Sequence, residues 1–179
     1  MTLRRTAFAA LAATIGIALL LSCSRKKEES PVAKDQPPPS VMKPGLKLTT
    51  FPNNKFTGPG EIKSETPTLG FPCDQNPYND KEVSLRYEGY LKVEQDGKYE
   101  FQIRSDDQSR MKVDSLVVEP GSTQTKSGSA TLKVGTYPLT LDYQNNVGPA
   151  CLVVKWSADD GRTFSEIPAS QLLHDSPHD

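Results

Sequence analysis

The chain reads as all-β: an antiparallel β-sandwich with long loops, carried behind an export signal and a solvated tether. Three observations predict this class. From Val83 onward apolar residues recur at every second position, the period of a strand with one buried face. Gly, Pro, Asn and Asp punctuate these runs at short intervals, as turns require. No segment of helical period is long enough to cross over between parallel strands.

Taken in order, Arg4 and Arg5 precede a run of small and apolar residues, "AFAALAATIGIALLL", that stops at "SCSRKKEES". This is the layout of an export signal, and it falls short of the roughly 20 apolar residues a membrane span needs. Residues 1–22 are read as a signal peptide. The adjacent arginines raise the twin-arginine route, but Phe8 sits one place too far along for that pattern. The stretch "LLSC", Leu20 to Cys23, resembles the lipobox of bacterial lipoproteins, in which the peptide is cut before the cysteine and lipid is attached to its sulfur. The resemblance implies acylation of Cys23, palmitate included, and an extracytoplasmic chain anchored to the bacterial membrane. Ser24 stands where an aspartate often marks inner-membrane retention, which favours the outer membrane where there is one.

Residues 23–44 mix charges and prolines with almost nothing to bury, so they are expected to stay disordered as a tether, stiffened at Pro37 to Pro39. Residues 45–174 then form one domain, roughly 130 residues and enough for a single core, and residues 175–179 a tail. The net charge of −1, with 24% charged residues of both signs, offers no field to gather nucleic acid and does not favour acidic substrates. Of three cysteines lipid takes one, leaving Cys73 and Cys151 as an even pair in an oxidising compartment, where a disulfide is the default.

In "VSLRYEGYLKV" Val83, Leu85, Tyr87, Leu91 and Val93 face inward, and Ser84, Arg86, Glu88 and Lys92 outward. "QDG" turns the chain, and "KYEFQIR" places Tyr99, Phe101 and Ile103 inward. "RMKVDSLVVEPG" continues the pattern to a proline–glycine stop. Later strands present Leu132 and Val134, then Tyr137, Leu139, Leu141 and Tyr143, then Leu152, Val154 and Trp156. The segment from Gly45 to Asp80 is expected to hold an early strand and long surface loops, and "PASQLLH" a final turn of helix.

These strands, with the "GYL" after the first, the paired aspartates after "YEF", the "VGTYPLTLDY" strand and the closing tryptophan followed by "IPASQL", resemble the protective-antigen (PA-14) domain of bacterial toxins, glycosidases and yeast flocculin adhesins. The resemblance spans approximately Gly45 to His174 and implies a β-sandwich. Gln108 and Ser115 depart from it, since glycines commonly stand at both places.

The stretch "RSDDQS", Arg104 to Ser109, admits three readings: a solvated Asx turn, a catalytic pair, or a cation site. Two carboxylates about 4 Å apart repel by about 1 kcal/mol in water and about 4 kcal/mol at a partly shielded site, and a divalent cation turns that repulsion into attraction. In the sugar-binding flocculin branch, consecutive aspartates joined by a cis peptide bind calcium together with an asparagine and backbone carbonyls of a second loop. That resemblance implies calcium ligands at Asp106, Asp107 and Asn145 and at the Val147 carbonyl, with "YQNNVGP" as the second loop. It adds Pro149 as a further carbonyl and Asn146 as the alternate if the loop is shifted by one. The loop also reads as a plain hairpin turn. Open positions on the ion would take two hydroxyls of a terminal sugar. Tyr78 and Phe71 could stack on its face, although packing at the core edge is the favoured reading for both.

"SADDGRTF" has the look of a sialidase Asp-box, but it occurs once and reads as a turn at Asp160 and Gly161, with Asp159 a lesser calcium candidate. Both histidines, His174 and His178, lie in the C-terminal tail, so neither a His-assisted nucleophile nor a histidine zinc site can form in the body of the domain. Adjacent aspartates would not straddle a sugar as two-carboxylate hydrolysis requires. The sequence thus predicts a membrane-anchored carbohydrate-binding module rather than an enzyme. The alternative is a structural or protein-interaction module of the envelope without sugar or calcium.

Overall fold

The structure, a computed structural model, describes residues 41–176, with side chains at all but residues 62–65. The signal peptide, Cys23, the tether through residue 40 and His178 lie outside the described residues.

Strands β1 (Val41–Pro44), β2 (Leu46–Phe51), β3 (Glu61–Thr66) and β4 (Gly70–Phe71) precede the regular region. There β5 (Val83–Val93), β6 (Gly97–Asp106), β7 (Gln108–Val113) and β8 (Leu116–Val118) are followed by β9 (Thr125–Leu132), β10 (Gly135–Asn145), β11 (Cys151–Ser157) and β12 (Leu172–Ser176). All pairings are antiparallel. One sheet runs β1-β12-β5-β10-β7-β8, with β2 pairing β5 and β3 beside β2, and the other runs β4-β11-β6-β9.

The alternation read from the sequence is what lets the sheets stack. Leu85, Tyr87, Leu91, Leu139, Leu141, Tyr143 and Met111 of the larger sheet are buried with Tyr99, Phe101, Ile103, Leu152, Val154 and Trp156 of the smaller in one apolar cluster. Trp156 packs on Tyr99 and Phe101, as its inward position predicts.

Four expectations are corrected. The domain begins at Val41, not Gly45, because the last four residues of the expected tether pair with β12, and Asp175 and Ser176 of the expected tail belong to that strand. "PASQLLH" makes the expected turn of helix, a 3₁₀ turn at Ala169–Gln171, and then enters β12. His174 is therefore a buried strand residue, its Nδ1 3.1 Å from the Gly45 carbonyl oxygen. Val134, expected inward, is 64% exposed because the chain turns there ahead of Gly135. Ser84, expected outward, is fully buried, its Oγ donating to the Asn53 carbonyl and accepting from the Phe56 N–H. It anchors the loop after β2 onto the sheet.

Gly89 has a steric reason. A Cβ there would lie 2.2 Å from the Leu173 carbonyl oxygen, so the "GYL" glycine lets β12 approach β5.

Candidate functional site

The site forms where β6 passes into β7. Beneath "RSDDQS", Ser105 and Ser109 are both buried, with Ser109 Oγ donating to Ser105 Oγ (2.9 Å) and Ser105 Oγ to the Asp107 carbonyl (3.2 Å). This polar pair fixes the turn from inside. The Asp106–Asp107 peptide is cis. The two carboxylates converge: Ser122 Oγ, from the loop between β8 and β9, lies 3.1 Å from Asp106 Oδ1 and 3.2 Å from Asp107 Oδ1. Neither aspartate forms an ion pair with lysine or arginine among the described residues.

The second loop meets them as the resemblance implied. Asn145, at the end of β10, is fully buried, and its Nδ2 donates to the carbonyls of Tyr78 (3.2 Å) and Lys81 (2.8 Å). With both amide hydrogens committed, its Oδ1 faces the Tyr143 hydroxyl oxygen at 3.3 Å, while that hydroxyl donates its one hydrogen to the Asp106 carbonyl. Burial pushes the Tyr143 hydroxyl well above the ordinary tyrosine range, and the nearby Asp107 and Asp106 charges add to the shift, so it stays a donor. Asn146 binds Asp107 directly, its N–H and its Nδ2 each 2.8 Å from Asp107 Oδ2.

Val147 is 72% exposed and Pro149 is exposed, so both stand on the rim. Tyr78 is half-buried, its ring 4.9 Å from Phe71, which packs edge-on against Tyr143; burial raises its hydroxyl above the ordinary range. The structure thus places both rings at the core edge, as favoured, and Tyr78 serves the site through its carbonyl.

Cys73 and Cys151 form the expected disulfide. Cys151 is the register partner of Asp106, so the bridge ties the loop after β4 directly behind the aspartates. That loop also holds the Gly148–Ala150 segment. Asp80 N–H donates to the Gly148 carbonyl, Asn76 Nδ2 donates to the Ala150 carbonyl, and Asn79 Oδ1 accepts from the Ala150 N–H. Asp159 lies apart in its own turn, accepting from Ser157 Oγ and the Thr163 N–H, which lowers its pKa to about 2. Its carboxylate is engaged in holding the turn.

Sequence reasoning missed four contributors: Ser105, Ser109, Ser122 and Asn54. Asn54 Nδ2 donates to Asn146 Oδ1, and its carbonyl accepts from Gln144 Nε2. Ser105 and Ser109 continue the inward parity of β6 and β7, the one signal that could have found them, whereas Ser122 and Asn54 lie in loops and carry no periodic signal. Only the density of Asn in "PNNKFTGPG" could have drawn attention to the loop.

Fold and site together define an antiparallel β-sandwich with an oxygen-rich, uncompensated acidic site formed by loops at one end. The chain belongs to the PA14 domain family, whose model matches residues 42–169. No curated protein matches the sequence. Among solved structures it is similar to an anti-sigma factor domain-containing protein from Clostridium clariflavum (TM-score 0.63, 22% identity, 76% of this chain), of whose length it spans about half, 49%. It is also similar to a PA14 sugar-binding domain from an RTX adhesin (TM-score 0.55, 17% identity, 73% of this chain and 98% of that one). A third is the Epithelial Adhesin 9 A domain from Candida glabrata, in complex with Galβ1-4GlcNAc (TM-score 0.60, 12% identity, 79% and 94%). At these identities the likeness shows the fold.

Proposed function

We propose that the domain binds carbohydrate through calcium held by Asp106, Asp107 and Asn145, and presents this site outside the cytoplasm from a lipid anchor at Cys23. The observation that carries the reading is the convergence of the two carboxylates on one hydroxyl, with no ion-paired lysine or arginine among the described residues, beside the buried Asn145 amide. Like charges brought together without compensation cost stability, and a hard divalent cation is the partner that suits an all-oxygen donor set. When bound, calcium supplies coordination positions for neighbouring sugar hydroxyls. The chain's own residues do the rest: Ser105 and Ser109 fix the aspartate turn, Tyr78 and Lys81 orient Asn145, and Asn146 aligns Asp107.

The printed names of the adhesin neighbours, one a sugar-binding domain and one holding Galβ1-4GlcNAc, support the sugar part of the reading. A scaffold module is the second reading, favoured by a rim at Val147, Gly148 and Pro149 that carries no polar side chain. Calcium titration of the full chain by calorimetry, with Asp106→Ala/Asp107→Ala as control, tests the site. Saturable binding lost in the control supports it, and no binding hands the lead to the scaffold. Incorporation of radiolabelled palmitate, abolished in Cys23→Ser, tests the anchor.

A further inference from the structure

Asp107 opens onto the smaller of two adjoining depressions. The smaller, about 250 Å³, is lined by Asp107 with Asn54, Lys55, Gln108, Gln144 and Asn146. The larger, about 520 Å³, shares Gln108 and Gln144 with it and continues past Arg110, Asp142, Glu119 and Phe56. Register explains the continuity. Gln144 pairs with Gln108 and Asp142 with Arg110 across β10 and β7, so the groove follows the outer face of two paired strands away from the aspartates.

The floor of this groove carries charge in alternation. Arg86 on β5 is the register partner of Asp142, which is the partner of Arg110 on β7, and Arg110 pairs with Glu119 beyond β8. Arg86 binds Asp142 through two contacts of 2.7 and 2.8 Å, and its guanidinium also lies 5.0 Å over the Phe56 ring. Arg110 Nε lies 2.8 Å from Glu119 Oε1. Each cation is thus matched by its own carboxylate, and the row presents hydrogen-bond donors and acceptors without net charge. An acidic ligand gains little from guanidinium groups already neutralised and meets the Asp142 and Glu119 carboxylates beside them, whereas hydroxyls can donate to the carboxylates and accept from the remaining guanidinium N–H groups. Lys55 is unmatched, but it is exposed and its field is screened by salt.

We propose, resting on the reading above, that the ligand is an uncharged glycan of at least two sugar residues, its terminal residue at Asp107 and its next in the groove over Arg110 and Glu119. The groove therefore supplies selectivity that the bare Val147–Pro149 rim does not.

The test uses the full chain in calcium against an array of neutral mono-, di- and trisaccharides, galactose, β-lactose and Galβ1-4GlcNAc among them, with sialylated versions alongside. Di- and trisaccharides should bind about tenfold more tightly than their terminal monosaccharides, with no gain from sialylation. Arg110→Ala should lose that advantage, about fivefold to tenfold, while calcium affinity and monosaccharide binding stay unchanged. Glu119→Ala, which frees the Arg110 cation, should shift preference toward the sialylated set. Equal binding of mono- and disaccharides, a preference of the native chain for acidic glycans, or indifference to Arg110→Ala would overturn this proposal and leave the calcium–sugar reading standing. Absence of all calcium-dependent glycan binding would sink both.

Discussion

Replacing Asp107 with asparagine should change the sign of its effect on stability according to whether calcium is present. Both carboxylates lie within hydrogen-bond reach of Ser122 Oγ, so their oxygens are close. At about 6 Å, the widest spacing that shared hydroxyl allows, two charges repel by about 0.7 kcal/mol in water and about 3 kcal/mol at a partly shielded site. Both aspartates are half-buried, which puts the repulsion between those limits. Against its relief stands one contact. Asn146 N–H and Nδ2 both donate to Asp107 Oδ2, so an amide oxygen in that place keeps both bonds but without the charge that strengthens them, a loss of about 1 kcal/mol. In chelator, then, Asp107→Asn should lie between about equal to the native chain and about 2 kcal/mol more stable than it. In calcium at a hundred times its dissociation constant, the native chain gains about 2.7 kcal/mol. For a domain of this size that is a rise in Tm of about 10 °C, and the variant should show none of it. Scanning calorimetry of both chains, in calcium and in chelator, reads all four values. An equal calcium-dependent rise in the variant would refute the assignment of Asp107, and a large loss in chelator alone would make it a structural residue of the turn.

Gly89→Ala should destabilise by about 2–4 kcal/mol in urea denaturation, because the added carbon meets the Leu173 backbone oxygen at 2.2 Å and cannot be relieved by a side-chain rotation. Loss of the disulfide in Cys73→Ser/Cys151→Ser should cost about 4–5 kcal/mol by the chain-entropy model, given a separation of 78 residues. Calcium affinity should fall with it, since the freed loop carries the Tyr78 and Lys81 carbonyls; unchanged affinity would show that those contacts do not order the site. Asp159, lowered to about 2 chiefly by its hydrogen bond from Ser157, binds protons more weakly folded than unfolded. Its contribution to stability is therefore full above the unfolded carboxylate range near 3.9 and is lost as pH falls toward about 2. An NMR titration should find its midpoint near 2, moving upward in Ser157→Ala.

What the sequence showed was the part of the fold governed by period. Leu85, Phe101, Leu141 and Trp156 were placed by alternation alone, because a strand with one buried face must repeat every two residues. Strands β1 and β12 escaped for the opposite reason. "VMKP" and "LLHDS" are short, and their pairing is set by the partner strand rather than by their own pattern. Ser84 shows the same limit inside a well-read strand: its outward parity was right for the sheet, and a loop folded over it. The aspartate pair and Asn145 were legible only through the family resemblance, since two acidic residues in a turn have a bland local explanation. Ser122 and Asn54 were not legible at all, because each reaches the site from a loop far away in sequence.

The distribution of order across the site explains how one such domain could be selective. Asn145 is fully buried with both amide hydrogens bound, and a bridge at Cys151 stands behind Asp106, so the floor of the site is set before any ligand arrives. A preformed floor reduces the entropy lost on binding but discriminates little among ligands that all offer hydroxyls. The rim at Val147, Gly148 and Pro149 adds no polar side chain, so it cannot supply the missing discrimination. Discrimination then falls to the groove over Arg110 and Glu119 and to the wall at its aspartate end, where the loop carrying Asn54 and Lys55 is pinned by Ser84 beneath it and by Gln144 beside it. An exposed loop held at two points by buried or half-buried strand residues can vary in sequence without disturbing the floor. Exchanging the exposed Lys55, with Asn54 kept because it holds Asn146, should therefore change which glycan binds while leaving calcium affinity intact. An unchanged glycan preference would place selectivity in the floor or over Arg110 rather than in this loop.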